Sequence, residues 1–347
     1  MPPLPNPLPR IITYYQTHRT PSNTHISILP LATPASATHV ILAAIHINHD
    51  PCGLTLNDDP ADSPRYTTLW AELRVLQASG VKVLAMLGGA AQGTFSRLDL
   101  RPGFQDGHGD DGFEAYYAPL HHLIRHRSLD GLDLDVEEQT SLAGIIRLID
   151  RLRRDFGPEF IITLAPVASA LLNPTSNLSG FDYEALEVLR GSEIAWYNAQ
   201  FYCGWGDLSN TRMYELILAK GWPAQKVVIG LVTNHANGSG FVPWPVLEPV
   251  LQRIARSHRD FGGVMGWEYF NSLPGDTHRP WEWARVMARL LRPSHHTLNV
   301  EPPLPAPSPV VDRAASLNDA DPDEVGGHPL PVPAPFDYVS DGDDARG

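Results

Sequence analysis

Acidic side chains recur at every second position through Asp133, Asp135 and Glu137, with Leu132, Leu134 and Val136 between them. Successive side chains of a strand point to opposite faces, so the three carboxylates share one face and the apolar residues share the other. A calcium loop with this content would need Gly at its sixth position and Glu at its twelfth, yet counting from Asp130 those positions hold Asp135 and Ser141. An exposed edge strand fits no better, because Leu129, Leu132, Leu134 and Val136 require cover on the outer side. Neighbouring carboxylates on one strand face stand about 7 Å apart and repel when ionised, so at least one keeps its proton to higher pH than a free carboxyl group. Glu137, at the point where the strand opens into a loop, is the residue placed to hand that proton to a ligand. Asp133 and Asp135 lie deeper and can orient or tune it.

The segment Asp130-Gly131-Leu132-Asp133-Leu134-Asp135-Val136-Glu137 resembles the D-G-x-D-x-D-x-E signature of glycoside hydrolase family 18, the chitinases and endo-β-N-acetylglucosaminidases, at every fixed position. A second, weaker family feature is S-x-G-G. Here Met86-Leu87-Gly88-Gly89 keeps the glycines and replaces the serine with Met86. The resemblance implies a mechanism in which Glu137 protonates the glycosidic oxygen while the substrate's own N-acetyl oxygen attacks the anomeric carbon, with retention of configuration. Asp135 and Tyr202 would position the acetamido group, and Asp133 would share a proton with Asp135. Substrates would be oligo- or polysaccharides containing N-acetylglucosamine (GlcNAc), cut on the reducing side of that sugar.

These residues need a scaffold that points several strand ends at one place. Between residues 10 and 292 the chain alternates strand-like apolar runs with amphipathic helical stretches, the order of successive βα units. Eight strands are expected: Arg10 to Tyr15, His39 to Ile47, Val81 to Leu87, Asp130 to Val136, Phe160 to Ala165, Ala195 to Phe201, Lys226 to Val232 and Gly262 to Trp267. Helices are expected over Tyr66 to Ser79 and Leu142 to Phe156, the latter with an apolar stripe through Leu142, Ile145, Ile146, Ile149 and Leu152. Eight such units predict an α/β fold of the (β/α)8 TIM-barrel type, with catalytic groups at the C-terminal strand ends.

Other strand ends then become candidates. In the sixth strand Asn198, Gln200 and Tyr202 share the parity that can face the interior alongside the acids. Gln200-Phe201-Tyr202 is similar to the family's sixth-strand motif, whose tyrosine contacts the substrate's acetamido group, although Cys203 departs from the usual Asp or Asn that follows. Trp267, at the end of the eighth strand, matches the family's tryptophan floor beneath the central sugar, a use for which aromatic faces are suited. Tyr14 and Asn234, at the ends of the first and seventh strands, are expected to line the substrate site.

Composition narrows the partners. A net charge of −13 argues against nucleic acid and points to a neutral or cationic substrate. Residues 1–9 form a short proline-rich extension. Residues 293–347 hold ten acids against two arginines and eleven of the 33 prolines, so a disordered tail is expected there, either inert or carrying a short protein-binding motif near Phe336 and Tyr338. No apolar run is long enough to cross a membrane, and two distant cysteines, Cys52 and Cys203, form no disulfide framework. With no export signal visible after Met1, the expectation is a cytoplasmic protein, or a secreted one if the start is mis-assigned. No metal or cofactor is expected: His122 and His126 have i, i+4 spacing without the Glu of H-E-x-x-H, and His46, His49 and Asp50 read as ordinary loop polarity. The functional expectation is an endo-acting chitinase. The alternatives are an endo-β-N-acetylglucosaminidase acting on the chitobiose core of N-glycans and, less favoured because Glu137 is present, an inactive sugar-binding protein.

Overall fold

The computed structural model describes residues 8–33, 36–99 and 112–292. Eight parallel strands form the expected barrel: β1 (Arg10–Tyr15), β2 (His39–His46), β3 (Lys82–Gly88), β4 (Gly131–Asp135), β5 (Ile161–Leu164), β6 (Trp196–Gln200), β7 (Val227–Val232) and β8 (Gly263–Trp267). Closure is carried by β1, which pairs with β8 through Arg10 and Gly263 and with β2 through Ile12 and His39. The long helices α1 (Thr67–Ala78), α3 (Gly112–Arg127), α4 (Leu142–Phe156) and α7 (Trp244–Ser257), with the shorter α2 (Thr94–Leu98), α5 (Tyr183–Arg190), α6 (Arg212–Ala219) and α8 (Glu282–Leu291), belong to the intervening segments.

Strand parity divides the core into two layers. In β4 the side chains of Leu132 and Leu134 belong to the large apolar layer shared with the helices, for example Leu120, Ile145 and Leu148. A smaller cluster that includes Ile12, Tyr14, Ile41, Leu84, Met86, Ile161, Trp196 and Met265 fills the barrel interior. The acidic row therefore enters an apolar interior, and that burial governs its proton affinity.

Two fixed residues of the acidic segment serve the barrel itself. A Cβ on Gly131 would sit 2.2 Å from the Ile161 carbonyl oxygen and 2.7 Å from the Ile161 Cβ, so only glycine lets β4 and β5 approach in this register. Asp130 lies at the opposite end of the strand from Glu137 and accepts hydrogen bonds from Lys82 Nζ at 2.9 Å, the Val83 amide at 2.9 Å and Gln77 Nε2 at 2.8 Å. It ties β4 to β3 and α1.

Helix α4 starts at Ser141, whose Oγ accepts from the Gly144 amide at 3.0 Å and donates to Asp99 Oδ1 at 2.5 Å. A feature not anticipated is a small hairpin of two-residue strands, Thr55–Leu56 and Asp59–Pro60, added antiparallel to β2. Asn57 takes a positive φ of 53° at its tip, a conformation that Asn tolerates better than most residues. The acidic, proline-rich segment from Pro293 onward, with its expected disorder and partner motif, lies outside the described residues.

Candidate active site

At the C-terminal mouth of the barrel is a cavity of about 790 Å3, lined by Asp135, Glu137, Gln200, Tyr202 and Trp267 together with loop residues. This is ample room for a few sugar rings by comparison with ordinary ligand pockets.

Asp133 is fully buried beneath the cavity. Its Oδ2 accepts from the Tyr14 hydroxyl at 2.6 Å, and its Oδ1 accepts from Thr163 Oγ1 at 2.5 Å and Asn198 Nδ2 at 2.9 Å. Asn198 is itself oriented by Trp196 Nε1, which donates to its Oδ1 at 2.9 Å. Burial raises the Asp133 pKa and the three donors oppose that rise without cancelling it. Both oxygens are thus engaged by neutral donors, and Asp133 reaches Asp135 chiefly as charge.

Asp135, 6% exposed, is the most strongly perturbed of the three. Burial is the largest cause of its raised pKa, followed by repulsion from Glu137 and from Asp133. Glu137 lies beyond the end of β4 and is only partly buried. Burial raises its pKa, and a hydrogen bond from Gln200 pulls the other way. Gln200 Nε2 stands 3.2 Å from Asp135 Oδ1, 3.2 Å from Glu137 Oε1 and 3.0 Å from the Ala165 carbonyl oxygen, so one amide bridges both carboxyls. An acid pair held this way titrates as a unit, with one proton retained to higher pH than either residue would keep alone.

The backbone of β3 is shaped to Asp135. Gly88 and Gly89 have φ of 93° and 96°, and the Gly89 amide donates to the Asp135 carbonyl oxygen at 2.8 Å. A Cβ on Gly88 would lie 2.5 Å from that oxygen. Met86, where the family motif has serine, is buried in the barrel interior and also lines the cavity. A thioether in place of a hydroxyl supplies no strong hydrogen-bond donor at this position.

Tyr202 is 8% exposed, and burial followed by the charges of Asp135 and Glu137 pushes its pKa well up, so it remains a hydrogen-bond donor. Trp267 is half-buried in the cavity, edge-on to Tyr14 with ring centroids 5.6 Å apart. Cys203, exposed and with φ of 53°, lines the cavity at the position of the usual Asp or Asn.

Two expected lining residues lie elsewhere. Tyr14 points inward as its parity requires, but it is 1% exposed and spends its hydroxyl on Asp133, one layer below the cavity. Asn234 is buried, donating to the Asn271 carbonyl oxygen at 2.8 Å and accepting from the Ala236 amide at 3.0 Å. Asn237, three residues on, lines the cavity instead. His46, read as loop polarity, is the last residue of β2 and lines the cavity too, whereas His122 and His126 stack on the exposed face of α3. Sequence reasoning also missed Gln16, Thr17, Tyr66 and Trp205, which reach the cavity from three separate loops. Trp205, an aromatic three positions beyond Tyr202, was the one with a readable signal.

A barrel with a buried row of acids at its mouth, an amide bridging two of them and an aromatic floor defines a glycosidase-type site. The sequence profile of the glycosyl hydrolases family 18 matches residues 10–240, and the chain belongs to that family. Among curated proteins it is similar to Chitinase 2 of Rhizopus oligosporus, 25% identical over 289 residues that cover 75% of this chain and 49% of that protein. It is also 27% identical over 237 residues to an endochitinase of Ziziphus mauritiana, covering 60% of this chain and 66% of that protein. The chain spans 49% and 40% of the first two curated relatives it matches, about half their length or less. Among solved structures, a fungal endo-β-N-acetylglucosaminidase of family 18 is 47% identical with a TM-score of 0.77, covering 83% of this chain and 99% of that one. A chitinase from Aspergillus fumigatus is 55% identical with a TM-score of 0.72, covering 80% and 98%.

Proposed function

We propose that this chain is a retaining, substrate-assisted endo-glycoside hydrolase that cleaves β-1,4 bonds after GlcNAc, acting on chitin or chito-oligosaccharides. The observation that carries this reading is the Gln200 amide shared by Asp135 and Glu137 within a cavity that also holds Tyr202 and Trp267. The raised pKa of Glu137 lets it enter the reaction protonated and donate to the departing glycosidic oxygen. The acetamido oxygen of the sugar over Trp267 then attacks the anomeric carbon, so no protein nucleophile is required. Tyr202 donates a hydrogen bond to that acetamido group and Asp135 accepts one from its N–H. As the ring acquires positive charge, the buried Asp135 becomes its counter-ion. Water completes hydrolysis, with Glu137 taking back a proton as general base.

A second reading, cleavage of the chitobiose core of N-glycans, is favoured by the charged part of the cavity lining. There Arg19, Asp58, Asp59 and Arg65 line the cavity beside Tyr66, with Arg65 paired to Asp59. Side chains of this kind recognise hydroxyl groups, as a mannosyl branch would present, better than they recognise stacked GlcNAc rings. Mass spectrometry of products from a mixture of chitohexaose and a high-mannose N-glycopeptide separates the readings. Shortened chito-oligosaccharides support the first, a peptide left with one GlcNAc supports the second, and neither product would refute both.

A further inference from the structure

Immediately after the Trp267 platform stands a carboxylate that the chemistry does not use. Glu268 is 6% exposed, and its side chain is turned away from the cavity into the first strand's exit. Its Oε2 accepts the amides of Gln16 at 3.1 Å and Thr17 at 2.8 Å, and its Oε1 accepts the Thr17 hydroxyl at 2.7 Å. Among the described residues no Lys or Arg forms an ion pair with it, so these three donors are its compensation for burial. A glutamine could not replace it, because its amide nitrogen cannot accept and one of the two sets of donors would go unmet.

Those donors belong to a wall of the cavity. Gln16, Thr17, His18 and Arg19 all line it. The Gln16 carbonyl oxygen accepts from Asn57 Nδ2 at 3.0 Å, and Asn57 Oδ1 accepts from the Ala44 amide at 3.0 Å, which joins the same wall to the hairpin tip. On its other side Glu268 is anchored by the Thr233 hydroxyl, which donates to the Glu268 carbonyl oxygen at 2.6 Å. The Trp267 carbonyl oxygen is held by the Thr233 amide at 2.8 Å. Floor and wall are thus one hydrogen-bonded unit with Glu268 at the joint.

We propose that Glu268 is a positioning residue that holds the wall formed by residues 16–19 against the Trp267 platform, and thereby sets how tightly the outlying sugars of a GlcNAc-containing chain bind. This rests on the hydrolase reading above. Because its oxygens are spent on the loop, Glu268 acts on binding of long substrates and leaves the bond-breaking step alone.

The test compares wild type with Glu268→Gln on chitotriose and chitohexaose, with amide hydrogen exchange of the folded protein alongside. The variant should raise KM for chitohexaose about tenfold and for chitotriose less than about threefold, with kcat within about twofold of wild type for both. The amides of Gln16 and Thr17 should exchange at least about tenfold faster while those of β1 stay protected. Glu268→Asp, which keeps the charge one methylene shorter, should fall between the two and carries the same test should the glutamine variant fail to fold. An equal KM rise for both substrates, a kcat loss at constant KM, or unchanged exchange at residues 16 and 17 would overturn the proposal. A wild-type protein that cleaves neither substrate would count against the hydrolase reading, and the exchange measurement would still decide the role of Glu268.

Discussion

Glu137 and Asp135 lie two residues apart and differ in depth, and the proposed division of tasks between them rests on that difference. Both line the cavity; the deeper carboxyl is held up in pKa by burial and by its two acidic neighbours, while the outer, less buried one is moderated by Gln200. Glu137→Gln should lower kcat by a factor of about 10² to 10⁴, the usual contribution of a general acid, and leave oligosaccharide affinity within a few-fold. Tyr202→Phe would remove the hydrogen bond proposed to the acetamido group and should cost a smaller factor, on the order of tens to hundreds in kcat. Gln200→Leu gives a sign that can be worked out. Gln200 stabilises the charged form of Glu137, so its loss raises the Glu137 pKa and should move the basic limb of the kcat/KM profile to higher pH. A pH profile of that variant with the limb unmoved or displaced downward would show that the bridge does not set the proton affinity of Glu137.

At the scale of elements, the acidic segment does two jobs from its two ends. Gly131→Ala would drive a Cβ into the Ile161 carbonyl and should destabilise the fold by about 1–3 kcal/mol, read as a lower urea midpoint. Asp130→Ala, at the far end from the cavity, should cost about 1–2 kcal/mol of stability and leave kcat unchanged. The eight strands and helix α4 were legible because barrel strands are buried on both faces, which makes them short, continuous apolar runs whose ends can be read to within a residue or so. The period-two acids stood out against that background. Most of the cavity wall was not legible, because Gln16, Asn57 and Asn237 come from loops with no periodicity, brought together only by closure of the barrel. Tyr14 shows the limit of parity: alternation indicated that it faces inward, and depth, which alternation does not encode, put it under the floor rather than on it.

Across the whole molecule, burying titratable groups links stability to pH. Asp133, Asp135, Glu137 and Glu268 all have pKa values raised above their ordinary range, so the folded state holds more protons than the unfolded chain and this contribution is lost as pH rises from about 4. His18, lowered to about 4, and His39 and His46, also lowered, act in the opposite sense and favour the fold as pH rises toward about 6.5. Asp135→Asn isolates the acid contribution: its stability relative to wild type should increase with pH above about 4, measured by urea unfolding across the range, and a constant difference would refute the linkage. No helix among the described residues is long and apolar enough to cross a membrane. The claim on which the rest depends is that the substrate's acetamido group, with Glu137 as acid, performs the displacement. It is tested most directly by following the first turnovers of chitohexaose by proton NMR and identifying the anomer released before mutarotation. The β-anomer should appear first, and initial release of the α-anomer would contradict the account, because inversion requires a water attacking directly with a protein base in place of the acetamido oxygen.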